Sequence, residues 1–265
     1  MHQKESAVPY QSIVPIFFEP DLRAQLTSKV RYERYMVNES QEYFANLLGP
    51  DVRFVSHPGV TFNITKDFVT SQNKSDNPLS ETEISQLLTT ALVHDWGELK
   101  LGAEGHGDIT FEDHLESHES AERIIFQRIS ERIPITEDRS TVREVNENIA
   151  QNRESKLGRI FNVIERIGYL KTAFRAFIGV KGERIKNWAG LTGNVLSNQI
   201  IPLLQYEKDY PYVKEILSAN KGTISDAFNK INKMRIMLAN DQKKSFDRGK
   251  FRKNKTAWME AKNNL

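Results

Sequence analysis

Apolar residues recur at spacings of three and four along nearly the whole chain, and no stretch alternates apolar and polar long enough for a strand. That periodicity predicts an all-α fold: a helical bundle with additional C-terminal helices packed on it. The cleanest segment begins at Ser80. With Glu83 three residues on it forms a capping-box signature, and Ile84, Leu87, Leu88, Ala91 and Leu92 follow as one apolar stripe. Residues 21–48 carry mixed apolar and aromatic positions until Gly49-Pro50 stops them. Residues 51–60 read as a loop turning at His57-Pro58-Gly59, and 61–72 as a short helix ending in a polar break. A glycine-rich loop covers 99–109. Further helices are expected at about 111–132, 137–150, 154–178, 183–205, 209–218, 222–239 and 242–261. The expected organisation is an N-terminal helical segment (1–50), a core (51–180), C-terminal helices (181–240) and a basic tail or helix (241–265).

Composition removes several function classes. With 265 residues, 38% apolar and 27% charged, the chain can bury a core and is neither collagen-like nor of low complexity. It has no cysteine, which excludes disulfide scaffolds, thiolate zinc sites and cysteine nucleophiles. No run approaches ~18 apolar residues, so no membrane span is expected. The opening Met1-His2-Gln3-Lys4 leads into no apolar signal core, so a reducing cytoplasmic setting is expected. Charge is uneven. From Asp241 onward there are eight basic and three acidic residues, a net +5 within an overall +2. Such a segment can engage nucleic acid by counterion release, or simply be a solvated helix.

The chemically informative segment is Ala91-Leu-Val-His94-Asp95-Trp96-Gly97-Glu98, at the end of the apolar helix. Asp95 lies three and four residues after Leu92 and Ala91, so it continues the core-facing stripe. Glu98 shares that face if the helix continues. A carboxylate aimed into a buried face needs something positive to meet it. A divalent cation held by imidazole and carboxylate is one answer; an arginine or a helix N-terminus is another.

LLTTALVHDWGELKLG resembles the signature of the HD-domain metal-dependent phosphohydrolases, and within them the nucleotidase-like branch, whose apolar helix ends in His-Asp. His94-Asp95, Glu98 and Gly107-Asp108 match its "HD-x-x-E" and later "GD" elements. Downstream, residues 154–176 resemble the family's late helix, with Glu165 where the family has a ligand aspartate. Upstream, GVTFNITKDFV aligns Val60 with the family's first histidine, and His57, three residues earlier, can swing in from the loop. The resemblance spans roughly 53–178.

It implies a divalent ion (Mn, Co, Mg or similar) held by His94, Asp95 and Glu165, with Glu98 and Asp108 sharing the acid and base roles. It implies a small phosphate ester or nucleotide as substrate, and a homodimer. Ordinary readings stand beside these: Glu98 as a helix-end surface acid, Asp108 as a cap in a turn. His114 and His118 lie one turn apart, and His118-Glu119-Ser120-Ala121 resembles a second-metal motif, although the strongly acidic helix also fits a solvated face. His106 in Gly-His-Gly-Asp can contact a phosphate. No phosphate-binding glycine loop, serine nucleophile elbow or dinucleotide fingerprint is present. The alternative function is a degenerate HD domain that binds nucleotide or a protein partner without turnover. A third, resting on the basic tail alone, is association with nucleic acid.

Overall fold

The computed structural model describes residues 8–28, 31, 40–99, 101, 116–179, 185–233 and 247–265. Among them the chain is all-α, with no β-strand. The helices are α1 (Tyr10–Ile13), α2 (Pro20–Ser28), α3 (Gln41–Leu48), α4 (His57–Gln72), α5 (Glu81–Val93), α6 (Glu116–Ser130), α7 (Thr136–Val145), α8 (Lys156–Gly179), α9 (Ile185–Tyr206), α10 (Pro211–Ala219), α11 (Lys221–Asn232) and α12 (Arg248–Ala261). None of the described helices is long and apolar enough to cross a membrane.

The chain divides into two compact units. The first comprises Met1–Arg31, Arg53–Val69 and Asn77–Asn162; the second comprises Tyr32–Val52, Thr70–Asp76 and Val163–Leu265. In the first, α5 packs against α7, and the turn that follows α5 packs against α6. Leu87, Ala91, Trp96, Ile129, Val142 and Phe161 are among its buried core residues. In the second, α9 packs against α11 and α12, around Leu196, Ile200, Phe228, Phe251 and Trp258.

Local chemistry accounts for most boundaries. The Ser80 hydroxyl accepts from the Glu83 N–H, and the Glu83 carboxylate accepts from the Ser80 N–H at 2.9 Å, so the capping box forms. Ser40 caps α3, and Gly49, at φ 74°, closes it in the left-handed region that glycine tolerates. Asp247 caps α12 by accepting from Lys250 N–H at 2.9 Å.

Three expectations are corrected. Helix α4 begins at His57 rather than at 61, because Pro58 occupies its first turn, where a missing N–H costs nothing. Helix α5 is buried over more than one stripe: Leu87 and Ala91 are fully buried, but so are Thr89, Thr90 and Val93, while Ile84, Leu88 and Leu92 are half-buried. The threonines are tolerated there because Thr89 and Thr90 donate to the Ser85 and Gln86 carbonyls, both at 2.8 Å. Residues 248–261 form a helix, as expected, but not a fully solvated one. Phe251, Asn254 and Trp258 share one buried face of α12, and the basic residues occupy the remainder.

Two ion pairs of the first unit give a pH expectation. Lys156 Nζ lies 2.6 Å from Glu83 and Arg132 Nη2 lies 2.8 Å from Asp21. Hydrogen bonding to these cations holds both carboxyls below their ordinary values. A depressed folded pKa adds stability that is complete above the unfolded pKa and lost as pH falls through the folded one. The melting temperature should therefore drop between about pH 5 and pH 3. Lys156→Met should lessen that drop, and an unchanged profile in the variant would remove Glu83 from the account.

Candidate metal centre

Helix α5 ends at Val93, and the chain tightens into a 3-10 turn over His94–Glu98. In such a turn side chains three apart eclipse one another, so Asp95 and Glu98 share a side despite the end of the α-helix. Asp95 and Trp96 are buried, and Glu98 is half-buried. The turn rests on α6 at Gly97. A Cβ there would lie 2.9 Å from the Glu122 carbonyl oxygen and 3.0 Å from its Cβ. Gly97→Ala should therefore lift the His-Asp turn off α6 and cost about 1–3 kcal/mol. Denaturant unfolding measures this, and a wild-type midpoint would show that the turn can ride up freely.

Three donor groups converge beside this turn. His57, at the start of α4, places Nε2 3.2 Å from His94 Nε2 and 3.3 Å from Asp95 Oδ2. His94 Nε2 is 3.1 Å from Asp95 Oδ1. Both histidine rings and the carboxylate are largely shielded from solvent, with side chains 10%, 4% and 10% exposed. His94 Nδ1 lies 3.2 Å from the Ala91 carbonyl oxygen. A carbonyl only accepts, so the proton belongs on Nδ1, and the Nε2 lone pair faces the cluster. Phe161 meets the His94 ring edge-on, at 5.2 Å between centroids, and limits its tilt. Thr61, one turn along α4, has its hydroxyl 3.4 Å from His57 Nε2.

The His94 Nε2 lone pair thus faces the Asp95 Oδ1 electron pairs across 3.1 Å, a contact that a cation between them relieves. His57 Nε2 lies within 3.2–3.3 Å of both groups. The spacing also fits, because two ligands each about 2.1 Å from one ion are roughly 3 Å apart at near-right angles. Among the described residues, His57, His94 and Asp95 form a group able to hold a metal ion.

A positive charge is already present. Arg31 Nη1 lies 3.6 Å from Asp95 Oδ2, and its side chain is 4% exposed. Burial pushes the Asp95 carboxyl up, but the electrostatic influence of His94, Arg31 and His57 outweighs it and holds the group below the ordinary carboxylate range. Asp95 is therefore an anion in the fold. Its Oδ2 atom is buried, and none of its contacts has hydrogen-bond geometry.

Among the described residues, none of the others singled out in the sequence belongs to this three-residue group. Val60 is half-buried, three positions after His57 on α4, and it is His57 that meets the His-Asp pair. Glu165 is half-buried on α8, one turn beyond Phe161, in the second unit. His118 is half-buried near the start of α6 and is not part of the three-residue group. Asp108, His106 and His114 lie outside the described residues. Arg31 was not singled out in the sequence, since nothing within reach of it along the chain signals a partner 64 positions away. No family model, no curated protein and no solved structure matches this chain.

Proposed function

We propose that the protein is a metal-dependent hydrolase of phosphate esters, most naturally nucleotides or nucleoside phosphates, of the HD-domain phosphohydrolase kind. The observation that carries this reading is the convergence of His57, His94 and Asp95 on one buried point, with the carboxylate held ionised. His57 strengthens it, because the resemblance calls for a histidine upstream of the His-Asp pair, and His57, three residues before the aligned Val60, lies 3.2 Å from His94.

In this reading His57, His94 and Asp95 would hold the ion. A bound divalent ion supplies Lewis acidity toward a phosphoryl oxygen and lowers the pKa of a coordinated water. The Ala91 carbonyl and the Phe161 edge keep the His94 lone pair aimed. Arg31 adds positive charge where a phosphate must arrive. Glu98, three residues past Asp95 on the same side of the turn, and Asp108 divide the tasks of taking a proton from water and giving one to the leaving oxygen.

Purified protein supplied with Mn²⁺, Co²⁺ or Mg²⁺ should release phosphate from members of a nucleotide panel, and His57→Ala should not. Silence across the panel from a folded, metal-loaded sample would overturn the hydrolase reading. One observation favours a second reading, a degenerate domain that binds nucleotide without turnover: only three donors gather among the described residues. Less than one ion per chain by elemental analysis after metal-supplemented purification would favour it.

A further inference from the structure

We propose that Arg31 is the resident counter-ion of this site: its guanidinium and a divalent ion compete for the Asp95 carboxylate, so Arg31 sets how tightly the ion is held. The inference rests on the metal-binding reading above and adds a determinant of affinity to it.

The carboxylate has two oxygens. Oδ1 is turned to His94 Nε2 at 3.1 Å, and Oδ2 to both His57 Nε2 at 3.3 Å and Arg31 Nη1 at 3.6 Å. Both oxygens therefore face the histidine donors, and Arg31 reaches the same oxygen as His57. An arginine that served to orient a metal-binding carboxylate would grip it through short, directed, often paired hydrogen bonds. The 3.6 Å approach is longer than any such bond, and Oδ2 accepts none. What Arg31 delivers is charge.

That charge is permanent, because a guanidinium does not lose its proton in a protein. It is also poorly screened, with the Arg31 and Asp95 side chains only 4% and 10% exposed. Two positive centres drawn to one carboxylate in such surroundings repel strongly. An ion entering the His57–His94–Asp95 group must therefore drive the guanidinium back, and the long arginine side chain allows that retreat. Without the ion, the guanidinium keeps the buried aspartate from standing as an isolated charge. One group substitutes for the other.

The test is Mn²⁺ affinity, read from free Mn²⁺ by electron paramagnetic resonance, for full-length wild type, Arg31→Met and Arg31→Lys. Arg31→Met should bind Mn²⁺ at least about tenfold more tightly, since a whole opposing charge is gone. Arg31→Lys keeps the charge and loses the fork, so it should stay within about threefold of wild type. The rise in melting temperature on adding Mn²⁺ should be larger for Arg31→Met than for wild type. Equal or weaker binding by Arg31→Met, beside a wild type that does bind, overturns the inference and leaves the metal site standing. So does an Arg31→Met protein that fails to fold even when expressed and purified with Mn²⁺, because the ion then cannot replace the guanidinium. Absence of Mn²⁺ binding in all three folded proteins removes the metal reading and this inference together.

Discussion

Asp95→Asn should abolish measurable divalent-ion binding and lower any phosphate-ester hydrolysis by at least about a thousandfold. The amide preserves the shape of the carboxylate but removes the one anionic donor among the three that converge. Two imidazoles alone make a weak site for a hard ion, which favours charged oxygen. The Lewis acidity lost with the ion accounts for several kcal/mol of transition-state stabilisation, and every 1.36 kcal/mol is tenfold in rate.

The same change bears on stability in the ion-free protein. Arg31, 4% exposed, would lose the carboxylate that now lies 3.6 Å away, and removing one member of a buried pair lowers stability. The two readouts separate a metal centre from a structural ion pair. If Asp95 merely neutralised Arg31, the variant would melt earlier than wild type by the same amount with or without Mn²⁺. At a metal centre the gap widens on adding the ion, because only the wild type gains from binding it. A constant gap, with equal Mn²⁺ retention by the two proteins, would return Asp95 to a packing role.

How much of this could be read along the chain depends on the range of each interaction. The helix from Ser80 was legible because its capping box and apolar face lie within one continuous segment. Burial of Asp95 followed from its register with Ala91. The start of α4 was misread, because His57-Pro58-Gly59 has the composition of a turn while Pro58 in fact sits in a helix's first turn, where proline is equally at home. That error moved His57 into a loop and directed attention to Val60. Arg31 carried no signal at all. Its contact with Asp95 is a product of packing, and a lone arginine has no local pattern that tells a buried counter-ion from a surface charge. The shift from α to 3-10 winding after Val93 was also silent in composition, although Gly97, seated on the Glu122 backbone, is the residue that permits it to lie against α6.

Trp258→Ala should carry the largest stability loss among the second unit's substitutions, about 3–5 kcal/mol. The ring is fully buried and belongs to the single apolar face of an otherwise strongly basic helix, with Phe251 and Asn254 as its companions. Its indole N–H donates to Ser225 Oγ at 3.0 Å, which ties α12 to α11. Asn254 adds a hydrogen bond to the Ser197 carbonyl of α9. Truncation leaves a cavity about the size of an indole between helices that cannot close over it without sliding. What remains of α12 is a segment with a mean hydropathy well below zero and few reasons to stay docked. Urea unfolding should report the loss, and trypsin should then cut after Arg252 and Lys253, which are exposed but held in helix in the wild type. Arg252→Ala, which removes charge from the solvent side of the same helix, should change stability by less than about 0.5 kcal/mol. If Trp258→Ala proved equally mild, the C-terminal helix would be an appendage rather than part of the second unit's core. The basic face it displays would then have to be explained without the fold.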